Sequence, residues 1–146
     1  MDTYRILPHL AALGAAYVLA LPIGWDREKA ERSAGLRTFP LVALATCGFV
    51  QASETLLAQH PEGAARIVDG IITGIGFIGG GAIVKHGTAV LGTATAASLW
   101  ATGAMGVAVG LGAYDVATVI SVLIFVTLRF VVPHKGEGND PGKPVP

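Results

Sequence analysis

Long apolar runs separated by short polar breaks dominate this chain. Ile6 to Ile23 carries no formal charge and is bounded by Arg5 and Asp26. Phe39 to Ser53 is again charge-free and continues past Glu54 to Ala58. Arg66 to Val84 is apolar apart from Arg66 and Asp69, Gly87 to Tyr114 is a charge-free run of 28 residues, and Val116 to Val132 is closed by Arg129 and Pro133. About 20 helical residues cross a hydrocarbon core roughly 30 Å thick. Five such runs predict an all-α polytopic membrane protein with about five transmembrane helices, the third and fourth rich in glycine. His9, Pro8 and Pro22 lie near the ends of the first run, which lacks a small-x-small cleavage site before Trp25 and reads as a span, not a cleaved signal. The tail from His134 to Pro146 holds Gly, Pro, Asn and charges without apolar periodicity. It is predicted to be disordered, leaving residues 1–133 as one transmembrane domain.

The third run is the unusual one: R-I-V-D-G-I-I-T-G-I-G-F-I-G-G-G-A-I-V, 19 residues with six glycines. Gly70 and Gly74, then Gly76 and Gly80, stand four apart, which bares a face for another helix to press against. The run Gly79-Gly80-Gly81 removes side chains from almost a whole turn, and each glycine costs about 1 kcal/mol relative to alanine, so the helix is expected to thin, kink or break there. Asp69 lies about one turn inside the span and needs water or a partner. Arg66, three residues earlier, can supply one. Two readings stay open: tight helix packing with Asp69 paired or at interfacial water, and a discontinuous helix whose backbone and carboxylate line an ion or small-solute site. Gly74, Gly76 and Gly79 also spell G-x-G-x-x-G, but the strand before and the acid about 20 residues after that a dinucleotide site needs are missing.

Charge is concentrated in one stretch, Trp25 to Thr38, where seven charges fall within the twelve residues Asp26 to Arg37. Helix is expected to run until Gly35, with Glu28 and Arg32 as a favourable i,i+4 pair. Such a stretch serves as a solvated, orienting connection, or it binds a cation, a lipid headgroup or a partner protein at the membrane edge. Glu54 is expected to reach the interface, Gln59 to Gly63 to turn, and Lys85-His86-Gly87 to be a very short polar break. In the fourth run Thr93, Thr95, Ser98 and Thr102 can hydrogen-bond across helices or to their own backbone, and Gly106 with Gly110 offers a second small-residue face. Trp100, mid-run, is expected to pack inside the protein. The fifth run, richer in branched residues, is read as an outer, lipid-facing helix.

Composition agrees: 52% hydrophobic and only 14% charged residues, with a mean hydropathy of +0.61, against about 25% charged in soluble domains. Zero net charge leaves no basic surface for nucleic acid. The single cysteine, Cys47, can form no intramolecular disulfide and reads as a small core residue. With the N-terminus outside, inner segments carry Arg27, Lys29, Arg32, Arg37, Lys85, Arg129, Lys135 and Lys143, and outer ones only Arg5 and Arg66. The bias predicts N-terminus out and C-terminus in the cytoplasm. It also puts Asp69 and Glu54 outside and the charged stretch inside, too far apart for one compact site.

Four ordered blocks, Gly24-x-Asp26-Arg27-Glu28, Ala34-Gly35-Leu36-Arg37-Thr38-x-x-Leu41-Val42, Gly74-Ile75-Gly76-Phe77-Ile78-Gly79-Gly80-Gly81 and Thr95-Ala96-Ala97-x-x-Trp100, resemble the MgtC/SapB family of bacterial inner-membrane proteins over about the first 130 residues. The family usually has Glu where Asp26 stands and often Gln where Asp69 stands. Its G-L-T-T-A-A block appears here as Gly92-Thr93-Ala94-Thr95-Ala96-Ala97, with Ala94 at the place of one of the block's two threonines. The resemblance implies the short form, without the cytosolic regulatory domain of many members. It further implies a link to growth under low magnesium and, in some pathogens, to virulence, either through magnesium transport or through modulation of the membrane ATP synthase.

No nucleophile and base stand together in the sequence, so no enzyme is expected and no resident cofactor. As a carrier the chain would route Mg2+ past oxygen ligands, with Asp26, Glu28 and the carbonyls near Gly79 to Gly81 as candidates. As a regulator it would grip another membrane protein through the Asp26 to Arg37 surface and its glycine faces. A homo-oligomer, a dimer first, is expected from those same faces, with membrane lipid around it.

Overall fold

The computed structural model describes residues 6–30, 34–60, 62–87 and 89–131. Six helices and one hairpin follow in order: α1 Ile6–Lys29, α2 Thr38–Ala52, α3 Glu54–Gln59, α4 Gly63–Gly81, β1 Val84–His86, β2 Ala89–Leu91, α5 Thr93–Gly110 and α6 Tyr114–Phe130. The fold is all-α in character, as the apolar runs predict. By length and composition α1 and α4 are each able to cross a membrane, while α2 is a shorter apolar helix. The predicted disordered tail and the Glu28–Arg32 pair lie outside the described residues.

Boundaries differ from the apolar runs for local reasons. Asp26 to Lys29 are adequate helix formers, so α1 continues through them. The second run divides at Ser53, whose Oγ donates to the Phe49 carbonyl at 2.7 Å and whose own amide bonds to Val50 O, closing α2. Lys85-His86-Gly87 is more than a break: β1 pairs antiparallel with β2, Lys85 opposite Val90, around Gly87 at φ +60°. The fourth run becomes helical only at Thr93, because Gly92 at φ +89° turns the chain under the Ala82 carbonyl. A Cβ there would collide with that oxygen as well as strain the backbone.

The triple glycine neither kinks nor interrupts α4. It ends it: the amides of Ala82 and Ile83 bond to the carbonyls of Gly79 and Gly80 at 3.0 and 3.1 Å, a tightened last turn.

Helix α5 is the centre of the bundle and packs against α1, α2, α4 and α6. It buries one broad face, through Thr95, Ser98, Leu99, Thr102, Gly103, Met105, Gly106 and Val109. Its hydroxyls turn back on the helix: Ser98 Oγ donates to Thr95 O and Thr102 Oγ1 to Ser98 O. Against it, α1 offers Ala12, Ala16, Ala20 and Ile23, and α2 offers Phe39, Ala43, Cys47 and Val50. Helix α2 comes close at Gly106, where a Cβ would meet the Ala43 carbonyl and Thr46 Oγ1, as its spacing from Gly110 predicts.

On α4 the four-residue glycine pairs meet no other helix of this chain. Its buried residues are Ile71, Ile75 and Gly79, at i, i+4 and i+8. That stripe meets α5, Ile75 filling the space beside Gly103 and Gly79 resting 3.3 Å from Ala96 O as measured from an added Cβ. Gly70, Gly74, Gly76 and Gly80 therefore face away, with no neighbour within 4 Å. Trp100 is also displaced from its expected place: it is 49% exposed, because it falls on the side of α5 opposite the buried stripe. Helix α6 is peripheral as predicted, burying only Ala117, Ser121 and Ile124, and Ser121 Oγ donates to Leu19 O at 2.7 Å to tie it to α1.

Candidate functional site

The charged end of α1, the turn that follows it and the end of α6 form one polar junction. Gly24 lets the turn approach, since a Cβ there would lie 3.0 Å from the Leu36 Cα. One turn further, Arg27 is folded inward and 7% exposed. Its Nη2 donates to Asp26 Oδ2 at 2.5 Å and to the Leu128 carbonyl at 3.3 Å, and its Nε donates to the same carboxylate oxygen at 3.2 Å. Arg129 Nη1 stands 3.9 Å from Asp26 Oδ1. Asp26 is thus a carboxylate held between two guanidiniums, its side chain only 9% exposed. Arg27 also satisfies one of the carbonyls at the end of α6, where a cation complements the helix dipole.

Glu28 has a different task. Its Oε2 accepts from the Leu36 amide at 3.1 Å, and Gly35 sits so close that a Cβ would strike that oxygen. The Gly35 carbonyl then accepts from the amides of Thr38 and Phe39, starting α2, and fully buried Phe39 anchors it. On the outer face Lys29 Nζ lies 4.9 Å from the Trp25 ring centroid. Gly35→Ala is expected to displace Glu28 and cost about 1 kcal/mol, the worth of one partly exposed hydrogen bond to a charged group. Thermal unfolding in detergent measures it. In a double-mutant cycle the loss should vanish when Glu28 is already alanine.

The structure therefore brings Asp26, Arg27, Glu28 and Gly35 together, with Arg37 and Thr38 beside them at the start of α2. It does not bring in the rest. Asp69 lies toward the opposite end of α4, exposed, and among the described residues it makes no ion pair with Arg66. Gly74 and Gly76 are open along α4, Gly79 touches α5, and Gly80 and Gly81 close the helix. Thr95 is buried in α5, and Trp100 lines its outer side. Glu54 is exposed at the far end, as expected. Among the described residues no group of three or more His, Cys, Asp or Glu is placed to hold a metal ion.

Two features were not foreseen. Arg129 reads in sequence only as the end of a span, yet it completes the setting of Asp26. At the other end of the bundle His9 Nδ1 and Gln51 Oε1 are 2.8 Å apart; His9 stood out in sequence, but nothing linked it to a glutamine 42 residues away.

The MgtC family model matches residues 13–136. The chain is similar to an uncharacterised protein of Synechocystis sp., 40% identical over 117 residues, covering 80% of this chain and 49% of that protein. It is similar to Protein MgtC of Salmonella typhimurium (strain LT2), 39% identical over 119 residues, 82% of this chain and 50% of that protein. Protein MgtC of Brucella abortus (strain 2308) is 39% identical over 131 residues, 89% of this chain and 54% of that protein. The chain spans about half the length of these curated relatives. No solved structure matches. A match that begins in the first helix, runs through the polar junction and extends past the last helix identifies the chain as a member of the MgtC family.

Proposed function

We propose that this chain is an integral protein of the bacterial inner membrane that serves adaptation to low magnesium by associating with another membrane complex, without conducting ions and without catalysis. Five spans are formed by α1, α2 continued by α3, α4, α5 and α6, with the N-terminus outside and the polar junction in the cytoplasm. The magnesium link comes from the family resemblance. What favours a regulator over a carrier is the state of Asp26. Its carboxylate is committed to Arg27 and faces Arg129, and Glu28 is committed to a backbone amide. A cation entering there would have to displace the buried Arg27 guanidinium, and like charges in a poorly solvated place repel strongly. A homodimer and a complex such as the F-type ATP synthase are the partners this role would involve.

The test is magnesium uptake into sealed proteoliposomes, beside empty vesicles and the Asp26→Asn/Glu28→Gln variant. Uptake by the folded, inserted protein should equal that of empty vesicles, while the protein retains a membrane complex on an affinity column. Saturable uptake that disappears in the double variant would overturn the regulator and establish a carrier.

A further inference from the structure

Helices α2 and α4 run antiparallel on the surface of α5 but hardly touch one another. Between them lies an open groove of about 750 Å³. Its walls are apolar, from Leu41, Ala45 and Phe49 on one side and Ile78 on the other, and Gly70 and Gly74 leave it wide. Its ends are not apolar. Arg37 and Thr38 close the end next to the polar junction, Ser53 and Arg66 the opposite end, and no carboxylate is among the lining residues.

We propose that this groove holds one acyl chain of an anionic phospholipid, with the phosphate at Arg37. This rests on the membrane-embedded reading above. Charge is the first argument: an apolar channel bounded by guanidiniums and free of acids is complementary to a chain with a negative head, and basic pockets between membrane helices on the cytoplasmic side suit anionic lipid headgroups. Lining is the second: between the two polar ends the walls along α2 and α4 are almost wholly apolar, the setting a hydrocarbon chain needs. The third argument chooses the end. Ser53 Oγ is already donating to Phe49 O. The Thr38 hydroxyl makes no hydrogen bond among the described residues, so Arg37 and Thr38 together offer a guanidinium and a hydroxyl to a phosphate.

The experiment places the protein in nanodiscs of equimolar phosphatidylglycerol and phosphatidylcholine and counts retained lipids by native mass spectrometry. Phosphatidylglycerol should be retained several-fold over phosphatidylcholine. Arg37→Gln should bring the ratio to that of the bulk, and Gly74→Leu, which has space to fold and fills the groove, should remove the bound lipid. Gly76→Leu, equally open but outside the groove, and Arg66→Gln should behave as the parent. Equal retention of the two lipids would overturn the proposal, as would insensitivity to both Arg37→Gln and Gly74→Leu, or a second copy retained in place of lipid. Protein that never enters the disc would overturn the membrane reading itself, and the lipid site with it.

Discussion

Asp26→Ala is expected to destabilise the protein by about 3–5 kcal/mol, the typical loss when one member of a buried ion pair is removed. Arg27 would remain, 7% exposed, with the Leu128 carbonyl but without its carboxylate. Arg129, 62% exposed at its side chain, can turn to solvent and contributes little to the loss. The larger effect lies in the uncompensated guanidinium, so the double variant Asp26→Leu/Arg27→Met should recover much of the stability. Chemical denaturation in mild detergent would measure both. If Asp26→Ala were as stable as the parent, the junction would be wet enough to screen its charges, and the committed carboxylate that favours a regulator would lose its force.

The second large effect is expected at Gly106. An added Cβ would overlap the Ala43 carbonyl and Thr46 Oγ1, and Thr46 is itself hydrogen-bonded to Val42 O and Ala43 O, so neither neighbour is a flexible end that can move aside. Overpacking a tight contact costs about 1–3 kcal/mol. Gly106→Ala should fall in that range, and Gly106→Leu should separate α2 from α5 and leave little folded protein. Gly76→Leu is the comparison, since nothing lies within 4 Å of that position. Equal thermal stability of Gly106→Leu and Gly76→Leu would show that the α2–α5 seam is not held by close approach.

Those two glycines show what was legible in the sequence. A four-residue spacing says that a helix face is bare; it does not say what covers it. On α5 the spacing of Gly106 and Gly110 coincides with the buried stripe, and the reading holds. On α4 the isoleucines carry the contact, and Gly70 and Gly74 open onto a groove instead. Trp100 misled for the same reason, since a position in the middle of an apolar run fixes depth but not direction. The charged stretch was legible as a unit because its residues are local. Its division of labour was not, because the Gly35 turn that occupies Glu28 and the α6 terminus that receives Arg27 exist only after packing. Arg129 lies 102 positions beyond Arg27, outside any periodicity. The hairpin is not legible in the sequence because β1 and β2 have three residues each, too few for alternation to register.

The helix with the most neighbours is also among the last to be made. Until Thr93 to Gly110 leaves the ribosome, α1 and α2 have only each other, and α4, whose seam is with α5, has almost nothing. Assembly is therefore expected to begin with an α1–α2 hairpin, and the contacts of α5 with α1, α2 and α4 to form in a later step. A chain released before Thr93 would keep its first pair of helices and leave the third without a place to dock.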